Sequence, residues 1–286
     1  MHSRRRLRTD LETLGVVVGD VIMAHASVRS IGEVAGGPDE IHLAIKDALS
    51  DEGTLMMYAG CPQYADEVGR GHLTAAQEAE LIEKLPPFDA NTARADRSNG
   101  TLVEFFRSYP GTHVNQHVTR FATWGRSAEF LLSEQPWSYA FGHGSALERF
   151  VKLDGKILLL GSDHDTVTFL HYAEHIVDIP GKRVARFQVP VLEDGVRVWR
   201  TMEEFNSASD GLHENWPDRF FALLTDSFIA ASGNAGGRVG DAWCYLLSAR
   251  ELLDFSLPIM QALGADPRAA DALRELPPEF QGRRES

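Results

Sequence analysis

The apolar positions of this chain follow two rhythms, and their alternation predicts an α/β fold. Short uninterrupted runs, Val21-Ile22-Met23-Ala24 and Ile157-Leu158-Leu159-Leu160, read as strands buried on both faces. Elsewhere the apolar residues recur every three to four positions, as Leu7, Leu11 and Leu14 do before Gly15. The same spacing runs from Pro38, near a first helical turn, to about Leu49. Further strands are predicted over Thr54–Ala59, Phe121–Trp124 and Ala242–Leu247. Further helices are predicted over Thr101–Ser108, Ala128–Leu132, Ala146–Phe150, Phe220–Ala231 and Ala249–Leu263. After Pro180 the pattern alternates, Val184–Pro190 and Val196–Thr201 flanking Glu193-Asp194-Gly195, a hairpin signal.

Two stretches carry less pattern. Residues 60–99 are polar, with an acidic helical patch near Ala75–Lys84, and a segment this long in a compact domain is read as functional or mobile. Gly233–Gly240 reads as a flexible loop. No repeat or linker divides the chain, so residues 1–275 are expected to form one domain, with 276–286 a loose tail.

The chain is organised around Lys156–Pro180. The apolar run closes at Gly161, Ser162-Asp163-His164-Asp165 supplies helix-starting side chains, and a helical pattern then carries Phe169, Leu170, Tyr172, Ala173, Ile176 and Val177. A polar cluster thus falls where a strand's carboxyl end meets a helix amino terminus, the usual ligand position in open α/β sheets. His171 is the candidate worker, with Thr168 one turn before it and Glu174 three residues after. Residues 171–175 also match the H-x-x-E-H pattern of zinc peptidases, but no third ligand is placed, so no metal is expected. The plain alternative is a half-buried histidine packed beside Tyr172. A second strand, loop and helix start, Ser27 to Gly37, could offer backbone N–H groups to a phosphate, or could be a turn.

Charge narrows the partners. With 28 basic against 41 acidic residues the net charge is −13, which argues against nucleic acid and fits a cationic ligand, with simple solubility an equal alternative. Cys61 and Cys244 have no metal or redox spacing, and nothing in the chain calls for an oxidising compartment. The basic start has no apolar segment after it, and no stretch approaches the roughly 20 residues of a membrane span. A cytoplasmic protein, monomer or homodimer, is expected.

Taken in order, several motifs resemble the aminoglycoside 3-N-acetyltransferases, from about Leu7 to Leu263. They are Leu14-Gly15 with Gly19-Asp20, then His25-Ala26-Ser27 with Ser30-Ile31-Gly32 and Gly36-Gly37. Pro87-Phe88-Asp89, Gly144-Ser145 with Glu148-Arg149-Phe150, and Leu159-Leu160-Gly161 before Thr168-x-Leu170-His171-Tyr172-Ala173-Glu174 complete the set. The resemblance implies a three-layer α/β sandwich with a central mixed sheet and a deep cleft. It implies acetyl transfer from acetyl-CoA to the 3-amino group of a 2-deoxystreptamine ring, with antibiotic resistance as the outcome. It places the catalytic histidine on His171, paired with an acid after the hairpin, Glu214 or Asp210, and assisted by Thr168. It carries the coenzyme A site onto Ser27, Val28, Arg29, Ser30, Val34, Gly36 and Gly37, with Ser145 and Thr168 nearby.

Three departures stand out: Val114-Asn115-Gln116-His117-Val118 keeps only the histidine of the family's Arg-Ser-x-His-Pro, Ala146 replaces a proline, and His175 replaces a small apolar residue. An imidazole suits the removal of a proton from an ammonium nucleophile, and a carboxylate behind it would stabilise the imidazolium. The drug's other ammonium groups are expected to meet Tyr58, Asp66, Glu67, Asp89, Glu174, Glu203, Asp210 and Glu214. Two rivals are a serine hydrolase using Ser27 or Ser145, though no G-x-S-x-G elbow is present, and a non-catalytic binding module.

Overall fold

The structure, a computed structural model, describes residues 1–64, 67–205, 216–266 and 268. At its centre lies β1 (Val21–Ala26), flanked in parallel by β2 (Thr54–Tyr58) and, on its other side, by β5 (Lys156–Leu160). Beyond β2 the sheet continues antiparallel through β4 (Phe121–Gly125) to a short edge strand, β3 (His113–Val114). Beyond β5 it continues antiparallel through β9 (Ala242–Ser248) to the other edge, β8 (Gly237–Val239).

The uninterrupted apolar runs follow from this central position. Ile22 and Ala24 pack into one core and Met23 into another, and all three are buried. The Ile22 face is covered by α1 (Arg4–Leu14), α2 (Val28–Ile31), α3 (Asp39–Leu49) and α5 (Thr101–Ser108). The Met23 face is covered by α6 (Ala128–Leu132), α7 (Ala146–Lys152), α8 (Leu170–Ile176), α9 (Phe220–Ser232) and α10 (Ala249–Ala265). This is the expected three-layer sandwich around a mixed sheet. Ser3, Ser27, Ser145 and Ser248 each accept an N–H from the first turn of α1, α2, α7 and α10, which fixes where those helices start. Thr74 does the same for α4 (Ala75–Lys84), a helix with no buried side chain.

The predicted hairpin is real and stands apart as a two-stranded sheet, β6 (Val184–Glu193) and β7 (Val196–Phe205). Asp194 and Gly195 turn it with φ of 49° and 78°, the paired positive values that a two-residue hairpin turn requires. Its apolar face, Phe187, Val189, Val191 and Met202, forms a third core with Cys61, Phe88, Ala90, Ala93 and Val118. Phe88 N donates to Pro190 O at 2.7 Å and Leu192 N to Phe88 O at 2.8 Å. The long polar segment is therefore docked on the hairpin in its described part, where the sequence reading allowed mobility.

Two buried arginines hold the connecting loops. Arg120, wholly buried, donates to the carbonyls of Ala59, Ala90 and Ala93 at 2.9, 2.8 and 2.5 Å. Arg149 donates to those of Leu131, Ser133, Glu134 and Gly144 at 3.1, 2.9, 3.1 and 2.8 Å.

Two elements differ from expectation. The helix holding His171 runs only from Leu170 to Ile176, because Val177 is already extended ahead of the Ile179-Pro180 pair. Residues 237–239 are an edge strand rather than loop, with Asn234 turning the chain into it by accepting from Gly236 N and donating to Leu246 O. Cys61 and Cys244 are free and buried in separate cores, where burial pushes both thiols up to about 11. Among the described residues no helix is long and apolar enough to cross a membrane.

Candidate active site

β1 and β5 end side by side, Ala26 opposite Leu160, and both chains leave the sheet at the same edge. From β1 the chain passes to β2 on one side and later to β5 on the other, so the crevice between β1 and β5 is a topological switch point. The loop after β1 is fastened there, Ser27 N donating to Leu160 O at 3.0 Å. Gly161 is required at this junction: its φ is +61°, and a Cβ would lie 2.7 Å from Ser30 Cβ.

Past Gly161, Asp163 caps the turn His164–Thr166, and α8 then opens with Leu170. This helix buries Leu170, Tyr172, Ala173 and Glu174 but leaves the His171 side chain 23% exposed. Glu174, at i+3 and with its side chain 3% exposed, sets Oε2 2.6 Å from His171 Nδ1. A carboxylate can only accept, so the bond puts a proton on Nδ1 and leaves the lone pair on Nε2. Among the described residues Nε2 makes no hydrogen bond. Phe141 stacks on the imidazole at 4.8 Å and 25°, and Phe221 meets it edge-on at 4.8 Å. Tyr58, at the carboxyl end of β2, reaches the same neighbourhood through Phe141, ring to ring at 5.7 Å. This arrangement supplies an oriented, partly exposed base on the helix that follows β5.

The H-x-x-E-H residues diverge rather than converge. His175 Nδ1 lies 2.6 Å from the His171 carbonyl and its Nε2 is bonded to Glu204, while Glu174 belongs to His171.

Of the other predicted residues, Thr168 is buried, accepts from His171 N through its carbonyl, and bonds Thr166 O weakly through its hydroxyl, at 3.4 Å. Ser27 accepts from Ser30 N and Ser30 Oγ, Val28 and Arg29 lie in α2 with Arg29 exposed, and Val34 bridges to His2. Gly36 and Gly37 have φ of +96° and +92°, but Gly37 N already donates to Val34 O, which removes one donor from the expected phosphate cradle. Ser145 is wholly buried and caps α7 by accepting from Glu148 N.

Glu174 sits behind His171, too deep to meet a drug, contrary to its expected substrate role. Glu67 lies 3.7 Å from His72, and Asp89 bonds Asn91 N and Thr92 Oγ1, which lowers its carboxyl below the usual range. Glu203 touches Tyr139 Oη at 3.4 Å and Arg186 at 3.6 Å. Asp66, Asp210 and Glu214 lie outside the described residues; among those described, the carboxylate on His171 is Glu174. Sequence reasoning missed Phe141, Phe221 and Glu204. The only signal for Phe141 was the glycine-rich turn that follows it.

The family model for aminoglycoside 3-N-acetyltransferase matches residues 23–261. The chain is 36% identical over 267 residues to aminoglycoside N(3)-acetyltransferase III of Pseudomonas aeruginosa, covering 93% of this chain and 96% of that one. It is 34% identical over 265 residues to aminoglycoside N(3)-acetyltransferase VII of Streptomyces paromomycinus, covering 91% of each. Among solved structures, AAC-IIIb in binary complex with CoASH superposes with a TM-score of 0.84 at 36% identity, covering 91% of this chain and 96% of that one. AAC-VIa bound to sisomicin superposes with a TM-score of 0.82 at 31% identity, covering 91% and 97%.

Proposed function

The chain belongs to the aminoglycoside 3-N-acetyltransferase family, and from that membership we infer its reaction: transfer of acetyl from acetyl-CoA to the 3-amino group of a 2-deoxystreptamine aminoglycoside, a modification that confers resistance to the drug. In this reading His171 is the general base. The observation that carries it is the Glu174–Nδ1 bond at 2.6 Å on a side chain left 23% exposed, which leaves the Nε2 lone pair to accept a proton.

The drug's amine is protonated at neutral pH and becomes a nucleophile only on losing a proton, which His171 Nε2 accepts directly or through one water. Glu174 then faces an imidazolium across an existing hydrogen bond and stabilises it in a site shielded by Phe141 and Phe221. The amine adds to the thioester carbonyl, the oxyanion collapses, and the C–S bond breaks, the second proton of the nitrogen passing to sulfur so that the amide and the free thiol result. No acyl-enzyme is required, since the acetyl group passes straight to nitrogen. The Thr168 hydroxyl, weakly engaged at 3.4 Å, is a donor available to that oxyanion, and such a donor is worth about 2.7–4 kcal/mol of barrier.

The pantetheine and phosphates are assigned to the loop Ser27–Gly37, where exposed Arg29 supplies charge and the glycines keep side chains clear of the approach. The ammonium groups of the drug are assigned to Tyr58, Glu203, Glu67 and Asp89, with Asp66, Asp210 and Glu214 as further acids. These attributions rest on family membership and on the acidic balance of the chain, −13 overall.

The test is His171→Ala. It should bind CoASH as the parent does and melt at a similar temperature, yet lose about 10²–10⁴-fold in turnover. A folded variant with near-parental turnover would remove His171 from the mechanism.

A further inference from the structure

Glu204 sits on the hairpin, 29 residues from His175 in sequence, yet it is bonded to that ring on the catalytic helix. Its carboxylate is 15% exposed and takes three donors. His175 Nε2 bonds Oε1, Phe205 N donates to Oε1 at 2.9 Å, and Ala140 N donates to Oε2 at 2.8 Å. Two of these contacts lead to His171. Through His175, whose Nδ1 meets the His171 carbonyl at 2.6 Å, Glu204 reaches the backbone that bears the imidazole. Through Ala140 it holds the residue next to Phe141, the ring stacked on that imidazole.

Neighbouring bonds reinforce the link. Tyr139 N donates to Glu203 O at 2.8 Å, Glu203 N donates to Ser138 Oγ at 2.9 Å, and Lys182 Nζ donates to His175 O at 2.9 Å. The ring of His175 lies among Phe141, Tyr139 and Phe205, at 5.9, 6.4 and 5.0 Å. In such surroundings an ionisable pair costs desolvation that an apolar contact would avoid. Simple adhesion of hairpin to helix does not require that cost, whereas defined bond directions do.

We propose that Glu204 is a positioning residue for acetyl transfer, fixing the His171 imidazole from the helix side through His175 and from the stacking side through Ala140 and Phe141. In this role it acts through those residues and not on either substrate. The inference rests on His171 being the base, and it adds that the hairpin sets that base's aim. Displacement of a reacting group by about 1 Å can cost about 100-fold in rate, so the lever is large compared with the stability the contact supplies.

The test uses the full chain, with steady-state kinetics for both substrates, melting temperature and CoASH binding measured on each variant. Glu204→Ala should lower kcat by about 10–100-fold while leaving the KM for acetyl-CoA unchanged. Glu204→Gln should restore most of that loss, because its oxygen still accepts from Ala140 N and its amide can donate to a neutral His175 Nε2. His175→Phe, which leaves the Ala140 bond in place, should lose less than Glu204→Ala. In a His171→Ala background, Glu204→Ala should lower the residual rate no further, since the lever then has nothing to aim.

Parental kcat in folded Glu204→Ala overturns the proposal, as does an equal loss in the His171→Ala background. If Glu204→Ala does not fold, His175→Phe carries the test, and parental kcat there overturns it. Near-parental turnover in His171→Ala would instead condemn the base assignment itself. An inactive His171→Ala beside an unaffected Glu204→Ala would condemn only this inference.

Discussion

Helices α3 and α8 lie on opposite faces of the sheet, and each carries two basic residues four apart, His42 with Lys46 and His171 with His175. On α3 the neighbours are mostly rings. Lys46 Nζ lies over Phe106, Tyr109 and Trp124 at 5.0, 4.9 and 5.0 Å, and His42 packs edge-on to Tyr109. Burial there pulls Lys46 down to about 8 and His42 to about 4, the latter despite a contact with Asp39 at 3.2 Å. On α8 each histidine has a carboxylate of its own. Both helices would read alike as basic residues at helical spacing. Desolvation disfavours the charged form of a buried base, whereas a buried carboxylate hydrogen-bonded behind a partly exposed imidazole orients it and faces the imidazolium that proton transfer would create, and that difference separates packing from catalysis.

Glu174→Gln is the strongest way to break the contrast, because it removes the negative charge from α8 while keeping the shape. Turnover should fall about 100-fold or more with CoASH binding intact, and parental kcat would show that the imidazolium needs no counter-charge.

Next comes Arg120, which is buried against neither ring faces alone nor carboxylates but carbonyl oxygens. Arg120→Met strands three of them, at about 1–3 kcal/mol for each acceptor that water does not reach, and the melting temperature should drop accordingly. An unchanged melting temperature would mean that the loop closes without the clamp.

Smaller effects belong to α3. A lysine whose folded value lies near 8 binds fewer protons when folded than when unfolded between about pH 8 and 10.5, so stability should rise with pH across that window. Lys46→Met should abolish the rise and add about 1 kcal/mol at pH 7, after the lost ring contacts are set against relieved desolvation. Denaturant melts at three pH values decide this, and a slope that survives in the variant would assign it elsewhere.

The smallest effect is acidic. Burial holds His25, His42 and His117 near 4, so each contributes stability that is complete above about pH 6.5 and lost as pH falls towards 4. His42→Phe should make the loss between these values shallower, and an identical acid limb would clear that residue.

Much of this was legible from local pattern. β1 and β5 could be read because strands buried on both faces leave no polar alternation, and the hairpin because Asp194-Gly195 accepts positive φ. His171 stood out because Gly161 and the capping residues mark a strand-to-helix junction, with Glu174 at i+3 within its reach. What stayed hidden depends on contacts between segments distant in sequence. Phe141 meets His171 only because Arg149 gathers residues 131–144 over α7, and Glu204 meets His175 only once the hairpin has docked. Ser145 lies in a family motif, yet the same hydroxyl is needed to start a helix, and the sequence does not separate the two demands.

The two arginine clamps also bear on how freely this enzyme can change. Arg120 grips three backbone carbonyls and Arg149 four, and the acceptors in these hydrogen bonds are all main-chain oxygens. A hold on the main chain is indifferent to the side chains that point to solvent, so replacements at exposed positions such as Asn91 and Glu134 leave it in force. Such surface positions can thus be changed one at a time without loosening the frame, which leaves sequence drift there at little risk to folding.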